Sequence, residues 1–256
     1  VAAQAGADAV KFQTFKAETL VSKSAQKADY QKKTTDAAES HFEMISKLEL
    51  DVEAHQLLIN YCVEKNIMFL SSPFDLASIN MLDQLGLQAL KIPSGEITNL
   101  PYLRKIGALN KTVIMSTGMT TKSELDEALN IVTKNRTKEK ELAIMHCVSS
   151  YPLKEDEANL ATINYIKNFF PGPVGFSDHS LTDTLIKYSV ASGSSIIEKH
   201  FTLSREDEGP DHKLSADPKM LKEIVNQIKT IEKIFGEKFL GVRKNEENTK
   251  IFRRPS

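Results

Sequence analysis

The sequence predicts an α/β protein built as a (β/α)8 barrel. Three observations point there. Short apolar runs alternate with helical patterns along the 256 residues, and repeated strand–helix units imply a parallel sheet with right-handed crossovers. Each apolar run ends in polar residues, as a buried parallel strand does where its carboxyl end opens into a site. The length suits one barrel, which takes about 250 residues.

Residues 1–5 read as a helix end closed by Gly6, and residues 9–14 as a strand tipped by Lys11 and Gln13. From 15 to 46 the chain is polar, without apolar periodicity before Phe42, and a connection of that length reads as a lid or mobile loop. Residues 51–65 place Ala54, Leu57, Leu58, Tyr61 and Cys62 on one helical face. A strand at 66–72 follows, then a helix at 77–85 closed by Gly86, a strand at 89–94 and a helix at 102–108. Next come a strand at 112–117 and a helix at 121–132 opened by a Thr121/Glu124 capping box. Strands at 141–147, 173–178 and 195–201 alternate with helices at 159–169 and 182–192, and an amphipathic helix at 218–235 closes the series.

That gives seven strands, with a helix ahead of the first, so the remaining strand of the barrel is expected upstream of Val1. Polar residues end every strand: Lys11 and Gln13, Ser71 and Ser72, Lys91, Ser94 and Glu96, Ser116 and Thr117, Ser149 and Tyr151, Asp178 and His179, Glu198 and His200. An open doubly wound sheet concentrates its site at one switch point, whereas a barrel gathers all its strand ends around one axis. The spread favours the barrel, expected over residues 1–242.

Lys and Arg number 33 against 34 Asp and Glu, so no global field selects nucleic acid or an anionic membrane, and an anion must be caught locally. Two cysteines, Cys62 and Cys147, are too few for a disulfide framework and fit a reducing cytoplasm. No apolar run reaches the eighteen residues of a membrane span.

His179 and His200 end neighbouring strands beside acids and could share a metal ion. Imidazole suits Mn, Zn, Fe or Co, and two such ligands leave positions for water and substrate. Lys11 and Lys91, with Ser94, Ser116, Ser149 and Ser177, are equipment for a phosphate or carboxylate. Asp211 brings an acid to the mouth from the loop after the last strand. The alternatives are a lone structural histidine, serines that only make turns, a Schiff-base aldolase lysine at Lys91 or Lys11, and a barrel kept as a non-catalytic scaffold. His146 and Cys147 read as packing residues, His41 and His55 as surface ones.

Val10-Lys-Phe-Gln-Thr14, Ser72-Pro-Phe-Asp75, Lys91-Ile-Pro-Ser-Gly-Glu96, Ser116-Thr-Gly-Met119, His146-Cys147 with Tyr151-Pro152, Ser177-Asp-His179, Glu198-Lys-His-Phe-Thr202 and Gly209-Pro-Asp211 together resemble the sialic acid synthase family, in order and over almost the whole chain. The resemblance implies condensation of phosphoenolpyruvate with an N-acetylated mannose-type sugar to a nine-carbon 2-keto-3-deoxy acid and phosphate. It implies His179 and His200 as ligands of a divalent metal, Mn2+ first with Mg2+ or Co2+ as alternatives. Lys11, Lys91, Ser94, Ser116, Ser149 and Ser177 would bind phosphoenolpyruvate, although some members have asparagine where Ser149 stands. Gln13, Glu96, Tyr151 and Asp211 would contact the sugar, and Glu96, Lys91, Asp211 and Tyr151 would form the catalytic set.

A cytoplasmic homodimer serving capsule or lipopolysaccharide synthesis is likewise implied, with residues 243–256 starting a linker to an antifreeze-protein-like domain. A proton-handling glutamate on the family's first strand would lie upstream. The sugar is either N-acetylmannosamine or 2,4-diacetamido-2,4,6-trideoxymannose, and Lys27-Ala-Asp-Tyr-Gln31 in the long connection is the candidate for telling them apart.

Overall fold

The computed structural model of the chain describes residues 1–22, 25–28, 31–32, 35, 39–134 and 142–254. Its strands are β1 (Ala9–Thr14), β2 (Met68–Pro73), β3 (Ala89–Ile92), β4 (Thr112–Ser116), β5 (Leu142–Cys147), β6 (Val174–Asp178) and β7 (Ile197–Lys199). Helices α1 (Ala2–Ala5), α2 (Ala17–Leu20), α3 (His41–Ser46) and α4 (Val52–Glu64) precede or separate β1 and β2. Helices α5 (Leu76–Gln84), α6 (Leu100–Ala108), α7 (Lys122–Thr133), α8 (Ala161–Lys167) and α9 (Thr184–Ala191) each bridge one strand to the next, and α10 (Pro218–Phe235) ends the series. Side-chain caps start several of them where the sequence demands: Asp51 accepts from the Ala54 amide at 2.7 Å, Asp75 from Ser78 at 2.6 Å and Asp217 from Met220 at 2.8 Å, while Thr121 and Glu124 form the expected capping box.

All strand pairs are parallel and follow sequence order, as βαβ units require. The ladder comes in two pieces, β1–β2 and β3–β4–β5–β6–β7, with β2 lying beside β3 without ladder bonds. Among the described residues the outer edges of β1 and β7 are unpaired, so the hydrogen bonds draw a parallel half-barrel and not a finished ring of eight. Helix α10 packs on both α9 and α1, and Lys222 donates to the Gln4 carbonyl, which brings the two ends of the array together.

Alternation along the strands divides the layers. Leu90, Ile92, Val113, Met115, Leu142, Ile144, Val174 and Phe176 face the helices and form the main core with Leu82, Tyr102, Leu103 and Ile163. The opposite face of the sheet carries Lys91, Ser116, Cys147, Ser177 and Glu198. Deeper on that face Gly175 makes room: a Cβ there would meet Met145 Sδ at 2.4 Å and the Ile196 carbonyl at 2.5 Å. Below, the amino ends of β2 to β6 and helix α4 border an apolar cavity of about 610 Å3.

Two local expectations fail. The connection at 15–46 is not bare, since α2 and α3 bury Phe15, Ala17, Met44 and Ile45 against Leu20, Val21, Phe42 and Phe74 in a small cluster of their own. Helix α4 is rotated from its expected face: Leu57 and Tyr61 are exposed, while His55 and Cys62 point inward. The cause is polar, because His55 lies 2.7 Å from both the Thr14 hydroxyl and the Asp51 carbonyl, so this histidine is fully buried and not on the surface.

Candidate active site

The carboxyl ends of β1, β3, β6 and β7 converge on Glu198. Lys91, whose side chain is only 3% exposed, donates to both Glu198 oxygens at 2.9 and 2.8 Å; Ser177, beside Glu198 in the ladder, donates at 2.9 Å; Lys11 Nζ lies 4.0 Å away. Burial opposes ionisation of Glu198, but Lys11, Lys91 and the hydrogen bonds from Lys91 and Ser177 overcome it and hold the carboxyl far below the usual carboxylate range. Burial draws the Lys11 amine down, with Glu198 opposing and Lys91 adding to the shift.

Next to this cluster the His179 and His200 rings sit 5.6 Å apart, edge to face, and Tyr151 covers both at 4.3 and 6.2 Å. Burial lowers both imidazoles; in His200 the neighbours His179 and Lys11 push further, to about 3. Both rings are therefore neutral near pH 7 and keep a lone pair for a metal. His179 Nδ1 is 2.8 Å from the Val148 carbonyl, and His200 Nδ1 is 3.5 Å from Asp211 Oδ2, which is how metal-bound histidines are commonly oriented from behind. Asp211 Oδ1 is buried without a partner, and burial raises that carboxyl.

This donor set fits a divalent ion. Among the described residues no group of three or more His, Cys, Asp or Glu side chains gathers as a metal centre, so the compatibility rests on the two imidazoles alone.

A third group adjoins. The Gly118 amide donates to Ser94 Oγ at 2.8 Å, Ser94 Oγ is 3.3 Å from Cys147 Sγ, and a Cβ on Gly118 would fall 2.3 Å from Ser149 Oγ. A side chain at 118 would have to displace the Ser149 and Ser94 hydroxyls. Ser116 is buried at the end of β4, and Gln13 is exposed on β1. Glu96 accepts from Asn99 in its own turn at 2.6 Å.

Behind the mouth, on the helix side of the same strands, Lys199 and Asp178 make a buried pair at 2.7 Å. Lys199 also donates to the Ser180 and Thr182 carbonyls, and Asp178 accepts from the Ser180 amide and hydroxyl. The sequence reading missed this pair and gave Glu198 no role. The signal lay in the alternation: Ser177, His179, Glu198 and His200 fall on one face of their strands, Asp178 and Lys199 on the other, and two opposite charges sent into an apolar layer must meet. His146 packs on Phe176 and bonds the Ala158 carbonyl at 2.8 Å, the structural role expected of it. In the stretch proposed for sugar choice, residues 29 and 30 lie outside the described residues, and buried Lys27 is engaged with Glu39 and Thr35.

Comparison with known proteins decides the family: the model of the NeuB family matches residues 1–239. The chain belongs to the NeuB family. It is 48% identical, over 99% of its length and 76% of the relative's, to N,N'-diacetyllegionaminic acid synthase of Campylobacter jejuni, and 41% identical, over 96% and 69%, to the Legionella pneumophila protein of the same name. Among solved structures, the N-acetylneuraminic acid (sialic acid) synthetase of Leptospira borgpetersenii in complex with citrate superposes with a TM-score of 0.88 at 34% identity, covering 98% of this chain and 82% of that one. This NeuB member is accordingly an enzyme of the synthase type, which sets aside the scaffold reading, and the resemblance read from the sequence motifs holds.

Proposed function

We propose that this enzyme condenses phosphoenolpyruvate with 2,4-diacetamido-2,4,6-trideoxymannose to give N,N'-diacetyllegionaminic acid and phosphate. The choice of sugar over N-acetylmannosamine rests on identities of 48% and 41% to two legionaminic acid synthases, against 34% for the N-acetylneuraminic acid synthetase and 32% and lower for the neuraminate-9-phosphate synthases. The observation that carries the reaction class is the mouth itself, where two lysines and several hydroxyls adjoin a pair of neutral imidazoles.

In this reading Lys11, Lys91, Ser94, Ser116, Ser149 and Ser177 hold the phosphate and carboxylate of phosphoenolpyruvate, with charge-assisted bonds of about 1.5–3 kcal/mol each. Gln13, Glu96, Tyr151 and Asp211 contact the sugar, and Tyr151 shields the imidazoles from solvent. His179 and His200 hold a divalent metal, Mn2+ first, which when bound supplies Lewis-acid polarisation of the sugar aldehyde. The lysines offset the anionic charge of the enol phosphate while its carbon attacks that aldehyde. Asp211, whose carboxyl burial raises, is placed to exchange a proton with the sugar or with the water that attacks next.

The same reading takes residues 1–242 as a (β/α)8-type barrel domain and 243–256 as linker, in a cytoplasmic homodimer. The Schiff-base alternative read from the sequence gains no support, since the family is one of synthases and Lys11 and Lys91 both lie against Glu198. Incubating the protein with phosphoenolpyruvate, Mn2+ and each sugar in turn should release phosphate and a keto acid fastest with the diacetamido sugar. No phosphate release with either sugar, or borohydride trapping of pyruvate on Lys11, would refute the proposal.

A further inference from the structure

The groups assigned above to the substrate's anion already hold one. Lys91 grips both oxygens of Glu198, Ser177 donates to one of them and Lys11 stands 4.0 Å from the other, which is the fork a phosphate or carboxylate would receive. Lys91 is too buried to be left uncompensated, because a lone ammonium in that layer is strongly unfavourable. An anion must therefore sit beside it, and in this structure Glu198 is that anion.

We infer that Glu198 is a built-in stand-in for the substrate's anion, and that substrate binds by exchanging with it and not by meeting free lysines. The inference rests on the proposed assignment of Lys11, Lys91 and Ser177 to phosphoenolpyruvate. It follows that Glu198 sets a threshold. An anion takes over the two lysines and the hydroxyl only if it engages them more strongly than a tethered carboxylate that costs no association entropy. A dianion that can bridge Lys11 and Lys91 meets that condition, and a monovalent anion does not. The carboxylate is thereby a selectivity filter as well as the counter-ion of the buried Lys91.

The test is calorimetric titration of metal-free, full-length protein with inorganic phosphate at about pH 7.5, using the wild type and Glu198→Gln, Glu198→Asp, Lys91→Met and Asp183→Asn. Glu198→Gln should bind phosphate at least about tenfold more tightly, since a like charge that competes for the same lysines is gone. Glu198→Asp, whose carboxylate is drawn back by one methylene, should fall between; it carries the test if the Gln variant does not fold. Asp183→Asn removes a carboxyl at the same end of the sheet that pairs with Lys187 and neither site lysine, and should change affinity less than about twofold. If Glu198→Gln and Glu198→Asp bind no more tightly than wild type while Lys91→Met loses binding, the exchange is refuted and the lysine assignment stands. Equal gains in Glu198→Gln and Asp183→Asn would reduce the effect to a general field and also refute it. Unchanged binding in Lys91→Met would place the anion elsewhere and overturn both.

Discussion

Lys199→Met should be the most costly single change near the mouth that touches no proposed ligand. The Lys199 side chain is 4% exposed and its partner Asp178 0%, with 2.7 Å between ammonium and carboxylate. Removing one member of such a pair leaves a buried charge, at about 3–5 kcal/mol. Asp178 keeps the Ser180 amide at 2.9 Å and hydroxyl at 3.0 Å, and hydrogen bonds to a charge are worth about 1.5–3 kcal/mol each, so the lower end of that range is expected. For a chain of this size that means a fall in Tm of roughly 6–12 °C, readable by calorimetry or circular dichroism. Replacing both partners with apolar residues should cost less than the sum of the single changes, because no unpaired charge remains. A loss below about 1 kcal/mol would refute the reasoning, since that is what an exposed pair is worth.

His179→Ala or His200→Ala should abolish turnover with little loss of Tm, both rings being at the mouth and outside the main core; normal turnover with Mn2+ still bound would remove them from the site. Lys91→Ala should raise the phosphoenolpyruvate KM at least about tenfold while Mn2+ affinity measured by calorimetry stays within twofold, and equal weakening of both would make the lysine a structural brace. Burial holds His146 below the usual histidine range, so the unfolded chain takes up its proton first and stability must fall as pH drops below about 6.5. The stability advantage of wild type over His146→Gln in urea should therefore shrink between pH 7 and pH 5 by up to about 1.4 kcal/mol per unit, and a constant advantage would contradict that sign.

The strands were legible because each couples an apolar run to a polar tip, so β1 and its successors fall within two or three residues of their expected bounds. The site was legible where one residue announces its chemistry, as His179, His200 and Lys91 do. What stayed hidden depends on pairing across the sheet. Lys91 demanded an anion, yet only the register that sets Ser177 against Glu198 shows that the chain supplies it itself. His55 was misread because polar neighbours at Glu53 and Gln56 suggest a solvated turn, and nothing local reveals the Thr14 hydroxyl that draws it inward. The two-piece ladder had no signal either, since β2 and β3 look alike in composition to pairs that do bond.

That division has a kinetic side. The two pieces of the ladder share side chains, since Phe69 of β2 packs on the large core and Tyr102 donates to the Pro73 carbonyl at 2.8 Å, but β1 and β2 are each laddered on one side only. Strands bonded on one side have fewer backbone bonds to break, so backbone amides of β1 and β2 should exchange with solvent sooner than those of β4 to β6. Lys11 and Gln13 ride on the looser unit, Lys91, Ser177 and the histidines on the tighter one. A transient opening of the β1–β2 ribbon would then carry one lysine away from Glu198 and leave the other in place.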